Sequence, residues 1–314
     1  MRTSKIPSCG PSFPLFWAYY GLTPSKLASI YYALPTIIYM NEGGYYPRGR
    51  SQTIGDAMAG FIEAHHGKVL LGTRVVVSNA NAWDTFHGML EPTADLANLN
   101  DYLARMDRFT PSLSSFIVFL GLKRDSVGKA GLGDTEVFYE TGYDPEAGYR
   151  QAIEADMTNP GFGAMFYDNL YKGYSPAGKN TLTLVTLQGF DHWKKHEKDY
   201  WAGHKDAYRA EKERMANILI RQAEEVLLPG LPKAIEVKEI ATPLTNVRYT
   251  GNYRGAIYGW DPTLDNSNPR RLPHVAPVRN LYLSGAWTSS GGGHSAVLAS
   301  GLECFGEIMA RLPR

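Results

Sequence analysis

Asn280-Leu-Tyr-Leu-Ser-Gly-Ala-Trp-Thr-Ser-Ser-Gly-Gly-Gly-His-Ser-Ala-Val-Leu-Ala-Ser-Gly301 is the stretch that organises this chain. Residues 281–283 are a short apolar run of the kind that fills a buried strand. Residues 285–290 make a loop of small and hydroxylated side chains. The run Gly291-Gly292-Gly293 lets the backbone approach a neighbour closely, and a helix is expected directly after it. Val297, Leu298, Gly301, Leu302, Phe305, Ile308 and Met309 recur at the three-and-four spacing of one buried helical face. A strand, a glycine-rich turn and a helix N-terminus together offer unpaired N–H groups and the positive end of a helix dipole. Such a site suits an anion or an electron-rich heterocycle. Spacing alone equally allows a plain flexible turn.

Working outward, 314 residues hold one large domain or two ordinary ones, with a sizeable core. Hydrophobic residues make up 44% and charged residues 20%, a globular composition. The net charge of +1 argues against a nucleic-acid partner, which usually meets a basic excess on one face. Aromatics are plentiful, with 20 Tyr, 12 Phe and 6 Trp, and they suit either a large apolar ligand site or a well-filled core. Two cysteines, Cys9 and Cys304, cannot build a disulfide framework or a cysteine metal site. The first ten residues carry no apolar signal core, and no run reaches the length of a membrane span. The expectation is a cytoplasmic or peripheral membrane location.

Leu27-Ala-Ser-Ile-Tyr-Tyr-Ala-Leu-Pro-Thr-Ile-Ile-Tyr-Met40 is uncharged and interrupted by Pro35. Its two readings are a buried, kinked helix and an interfacial helix, since tyrosines interleaved with Ile and Leu suit a membrane boundary. A helix over 52–66 carries Ile54, Met58, Phe61 and Ile62 on one face, with Gly67 as its stop and His65 and His66 as surface residues. Strands are expected over 114–120, 135–140 and 181–187, the last with clear period-two alternation. One long helix is expected from about 191 to 228, ended by Pro229, with Met215, Ile218, Leu219, Ala223 and Val226 on its apolar side. His192, His196 and His204 are read as a solvated helix face rather than a metal site. The glutamate of a His-Glu-x-x-His helix is missing, and Lys194, Lys195 and Lys198 would repel a cation. Gly-x-Ser-x-Gly and phosphate-loop patterns are absent from the sequence.

The opening stretch resembles the C-terminal flavin motif of the phytoene desaturase-like FAD oxidoreductases, the group of carotenoid desaturases, carotenoid isomerases and retinol saturases. Two further segments are similar to the same family, in the same order. They are Gly43-Gly-Tyr-Tyr-Pro-Arg-Gly-Arg-Ser-Gln52 and Thr242-Pro-Leu-Thr-Asn-Val-Arg-Tyr-Thr-Gly-Asn-Tyr-Arg-Gly-Ala-Ile-Tyr-Gly-Trp260. The family's Gly-x-Gly-x-x-Gly turn, which holds the FAD pyrophosphate, has no counterpart here; the nearest pattern, Gly131-Leu-Gly133, continues Asp-Thr-Glu. At Gly72-Thr-Arg-Val-Val-Val-Ser-Asn-Ala80 two strands that relatives separate by a long excursion run together. Relatives also have Gly-Gly-Ser where this chain has Gly49-Arg50-Ser51. The chain is therefore expected to be a shortened member.

The resemblance implies an α/β fold that becomes α+β in the middle. A partial FAD-binding domain of the flavin amine oxidase-like type would carry an inserted antiparallel-sheet substrate domain. The expected divisions are 1–80, a partial flavin domain and substrate-entry segment; 81–240, the substrate domain; and 241–314, the C-terminal part of the flavin domain. Ser284, Gly285, Ala286, Gly292, Gly293, His294 and Ser295 would contact FAD, largely through backbone groups. Ala286 stands where an acidic residue often follows the glycine in the wider superfamily. Tyr46, Arg48, Tyr249, Tyr258 and Trp260 would line the substrate side, and the family's substrates are apolar isoprenoids that reside in membranes. Flavin enzymes ask little of side chains in the redox step, so catalytic side chains are not assigned. Two alternatives stay open: a non-catalytic remnant that binds an apolar ligand, and a flavin amine oxidase.

Overall fold

The computed structural model describes residues 17–66, 77–90, 97–123, 132–170, 173–267 and 270–311. Cys9, the helix stop expected at Gly67 and the first part of the Gly72–Ala80 stretch lie outside these residues. The chain opens with α1 (Trp17–Tyr20), α2 (Ser29–Glu42) and α3 (Gln52–Ala64). Next come β1 (Val77–Ser78), α4 (Ala82–His87) and α5 (Ala97–Met106).

A sheet-and-helix unit then fills the middle. Its elements are β2 (Ser114–Lys123), β3 (Glu136–Tyr139), α6 (Pro145–Glu154), β4 (Phe162–Met165), β5 (Lys179–Gln188), α7 (Asp191–Trp201), α8 (Asp206–Val226), α9 (Leu231–Ala234) and β6 (Ile235–Ala241). The five strands form one antiparallel sheet in the order β3-β4-β5-β2-β6. Along β2, Phe116, Val118, Leu120 and Leu122 alternate into the core, and Leu182 and Leu184 of the paired β5 do the same. Met215, Leu219 and Ala223 of α8 and Trp193 of α7 pack onto that face. Three strands fall where the alternation places them. The short β4, Phe-Gly-Ala-Met, and the charged edge strand β6 carry no such signal.

The long helix expected over 191–228 is two helices. Tyr200 and Tyr208 meet with ring centroids 4.8 Å apart, and both join the cluster around Trp193. In one straight helix, residues eight apart would be about 12 Å apart along the axis. The break at 202–205 lets both aromatics enter the same core. His192 and His196 are likewise not on a solvated face. His192 Nε2 lies 2.8 Å from Glu211 Oε1, and His196 packs against Trp193 and Tyr208. His204 follows α7 in the break.

After β6 the chain runs through α10 (Pro243–Thr250), β7 (Tyr282–Leu283) and α11 (His294–Met309). β7 pairs in parallel with β1, which joins the two ends of the chain. A second core forms here from Phe86, Leu99, Met106, Trp260, Leu272, Leu283 and Trp287.

The apolar face of α11 is not buried as expected, and α2 and α3 also leave apolar side chains exposed. On α11 the buried residues are Ser300 and Cys304, whereas Leu298, Leu302, Phe305 and Met309 are 47–76% exposed. On α3, Ile54, Met58, Phe61 and Ile62 are exposed. Helix α2 buries no residue fully and turns Tyr31, Tyr32, Pro35 and Thr36 inward, while Ile30, Leu34, Ile37, Ile38 and Met40 point out. On its inner side Tyr20 Oη meets Thr36 Oγ1 at 2.7 Å and the Tyr20 and Tyr32 rings pack 4.8 Å apart, while Tyr19 bonds Tyr39 at the exposed edge. Among the described residues, no helix is long and apolar enough to cross a membrane.

Candidate functional site

Residues 280–301 fold as a two-residue strand, a tight loop and the start of a helix, as their side chains suggest. Ser300, on the inner side of α11, is the loop's anchor. Its Oγ accepts from the Gly285 amide at 2.7 Å and lies 3.1 Å from Thr288 Oγ1. Thr288 Oγ1 in turn donates to the Gly285 carbonyl at 2.8 Å. A small hydroxyl is therefore buried on α11 in place of the larger apolar side chains, because the loop needs its hydrogen bonds.

A second tie comes from His274, which is 6% exposed. Its Nδ1 faces the Leu283 carbonyl at 2.9 Å, so Nδ1 must carry the donated proton. Its Nε2 lies 2.9 Å from Glu303 Oε2 and 3.2 Å from Ser289 Oγ. Ser290 Oγ donates to the same carboxylate at 2.7 Å. The bonds from His274 and Ser290 hold Glu303 below the usual carboxylate range. Serine and carboxylate share one ring nitrogen, which is not the arrangement of a hydrolytic triad, where they occupy opposite ones. The cluster fixes the loop to the helix.

The glycines divide by cause. A Cβ on Gly292 would sit 2.6 Å from the Tyr258 carbonyl oxygen and 2.8 Å from its Cα, so this position is glycine because two backbones touch. Gly293 has φ 100° and nothing within 4 Å of a Cβ, so it is glycine for its conformation and borders open space. As the N-cap of α11 it makes no side-chain cap, and His294 and Ser295 are exposed. Here the helix N-terminus keeps free N–H groups and the positive dipole end. The amide and carbonyl of Gly285 and the carbonyl of Ala286 are, by contrast, committed within the protein. Ser284 Oγ lies 3.4 Å from Ser300 Oγ.

The residues expected on the substrate side are not all gathered. Trp260 and Tyr258 lie against the loop. Trp260 is 1% exposed, meets Trp287 edge-on at 4.6 Å, and leaves its Nε1 without a partner among the described residues. Tyr258 Oη donates to the Tyr19 carbonyl at 2.8 Å, and burial pushes its phenol up to about 12. Tyr46 packs at a tilt against Tyr167 of the middle unit, and Arg48 borders an open apolar groove of about 510 Å³ along α3, with Ile54, Met58 and Phe61. Tyr249 is 78% exposed at the end of α10, beside Arg248. The spacing of residues missed Ser300, His274, Glu303 and Arg271, whose partners lie 9 to 29 positions away. It also missed Tyr19 and Tyr20, which meet α2.

No family model matches the chain. It is 25% identical to the all-trans-retinol 13,14-reductase of Danio rerio over 93% of this chain and 54% of that protein. To the chloroplastic prolycopene isomerase of Daucus carota it is 28% identical, over 76% of this chain and 35% of the isomerase. The human all-trans-retinol 13,14-reductase matches at 26%, over 85% of this chain and 49% of the enzyme. The crystal structure of an oxidoreductase from Methanosarcina mazei superposes with a TM-score of 0.56 at 14% identity, covering 96% of this chain and 64% of that one. The chain thus spans between about a third and a little over half of the curated relatives it matches. It is a homologue of the retinol reductases and carotenoid isomerases, the family its three motifs resemble.

Proposed function

We propose that this chain forms the substrate side and the C-terminal flavin contact of an FAD-dependent oxidoreductase. The reaction is saturation, desaturation or isomerisation of a carbon–carbon double bond in an isoprenoid polyene. The observation that carries this reading is the loop from Ser284 to Ser295. It resembles the family's flavin motif and ends in an uncapped helix N-terminus beside open space at Gly293. The named activities of the retinol reductases and prolycopene isomerases support the substrate class.

The residues present fit part of FAD. Amides at 293–295 would meet electron-rich atoms of the cofactor, and Tyr258 and Trp260 would border the reacting side. The pyrophosphate has no Gly-x-Gly-x-x-Gly turn in these 314 residues. When bound, FAD supplies the hydride or electron transfer. The chain's own work is to hold the loop rigid and keep its surroundings apolar. Its domain divisions at 1–80, 81–240 and 241–314 belong to the same proposal. The outward aliphatic side of α2 fits an apolar boundary, and we assign it to contact with the membrane in which such substrates dissolve.

The test is flavin retention and liposome binding. The chain alone is expected to lose FAD on dialysis, and addition of the N-terminal portion of a relative should restore a flavin spectrum. Absence of flavin from the completed assembly would overturn the cofactor assignment. Ile30→Glu with Ile37→Glu should abolish flotation with liposomes while thermal stability stays within a few degrees, because both side chains are exposed. Unchanged flotation would remove the membrane assignment.

A further inference from the structure

Arg271 is the largest charged side chain fully withdrawn from solvent, at 1% exposure. Its guanidinium donates to backbone carbonyls: Nε to Thr288 O at 2.8 Å, Nη2 to Ala286 O at 2.9 Å and Nη1 to Trp260 O at 3.3 Å. The Tyr31 side chain also bonds it, and the Asp261 charge acts on it from nearby. An always-charged guanidinium is costly to bury, and here carbonyl dipoles solvate it from three sides. Two of those carbonyls belong to the loop between Gly285 and Gly291.

The consequence lies on the far side of the same peptides. In a trans peptide, the C=O and the following N–H point in opposite directions. Turning the 286 and 288 carbonyls onto Arg271 therefore turns the Trp287 and Ser289 amides away from it. Among the described residues, neither amide donates a hydrogen bond. Unpartnered amides presented by one loop are a place for an acceptor oxygen. We propose that Arg271 is a positioning residue: it fixes the 285–291 loop so that the Trp287 and Ser289 amides face an acceptor oxygen of the cofactor. This rests on the flavin reading of the loop.

The experiment is amide hydrogen exchange on the full 314-residue chain, with Arg271→Met, Arg271→Lys and Arg271→Ala. In all three, sheet amides such as those of Val118 and Leu184 should stay protected. The Gly285, Thr288 and Gly291 amides should exchange faster by roughly tenfold, the loss of about one charged-donor hydrogen bond. Millimolar guanidinium added to Arg271→Ala should restore loop protection, and ammonium should not, because only the planar fork reaches several carbonyls. Loop protection equal to the parent's, a uniform loss across sheet and loop, or equal rescue by ammonium would each overturn the proposal. Adding FAD together with the N-terminal portion of a relative, which supplies the missing pyrophosphate turn, separates the two layers. Slower exchange at Trp287 and Ser289 in the parent, but not in Arg271→Lys, supports the acceptor assignment. If FAD changes nothing in the parent while the variants loosen the loop as described, Arg271 still positions the loop and the flavin reading fails.

Discussion

Helices α8 and α11 read alike in sequence and differ in the fold. Both space their apolar residues three and four apart. On α8 that stripe covers a sheet, with Met215, Leu219 and Ala223 fully buried. On α11 the stripe of Leu298, Leu302, Phe305 and Met309 points outward, and the inner face is Ser300 and Cys304. Periodicity reports that a helix has an apolar side. It does not report what covers it. Around the five-stranded sheet, the covering elements lie in the same segment of chain. Around the 284–295 loop, α2 and α11 leave large apolar side chains bare.

The largest effect that tests this contrast is a truncation in each region. Trp193 is fully buried, stacks at 6.0 Å on Phe116 and donates from Nε1 to Gln188 at 2.8 Å. Trp193→Ala should cost about 3–5 kcal/mol in urea unfolding. Phe305→Ala, on a residue 60% exposed, should stay within about 0.5 kcal/mol. Comparable losses would mean that the α11 face is covered in solution.

A smaller effect separates the two glycines that sequence could not tell apart. Gly292→Ala drives a Cβ against the Tyr258 backbone and should cost about 2 kcal/mol or more. Gly293→Ala meets no neighbour and should cost about 1 kcal/mol, through its positive φ alone. Equal costs would show that the loop repacks. An FAD effect confined to Gly293→Ala would sharpen the assignment of the cofactor's side.

What was legible follows from range. The strands at 114–123 and 179–188 were visible because alternation is local and the partner face lies within the same unit. The strand, loop and helix of 282–309 were visible for the same reason. Its chemistry was only half visible. The glycines announce a close approach, but the groups that hold the loop come from elsewhere. Arg271 precedes it by a turn-rich segment, His274 reaches Glu303 across 29 residues, and Tyr31 arrives from the other end of the chain. A hydrogen bond between distant residues leaves no spacing to read. The break between α7 and α8 was missed although Gly203, at φ 89°, marks a helix end there; both flanks favour helix, and the turn lets Tyr200 meet Tyr208.

The smallest predicted effect concerns pH, and it should carry opposite signs in the two regions. In the sheet unit, Glu211 is held down to about 2 by hydrogen bonds from Arg214 and then His192. In the loop region, burial pushes Asp261 up to about 7, against the lowering pull of Lys26, Arg271 and the Tyr149 hydroxyl. Its Oδ1 has no partner among the described residues. A depressed carboxylate contributes stability that is present above its ordinary 4.5 and is lost as pH falls toward 2. A raised carboxylate behaves in reverse. Between 3.8 and about 7 the folded chain keeps a proton that the unfolded chain has released. Asp261 therefore favours folding most below 3.8, progressively less as pH rises through 7, and equally little above. Amide exchange followed from pH 3 to 8 should show sheet protection falling at the acid end. Protection around 258–272 should weaken by an amount on the order of 1 kcal/mol as pH rises. Asp261→Asn should flatten the second trend without touching the first, and Glu211→Gln should do the opposite. If Asp261→Asn leaves the rise in exchange near neutral pH intact, that carboxylate is not the group responsible, and the loop region's response must be sought elsewhere.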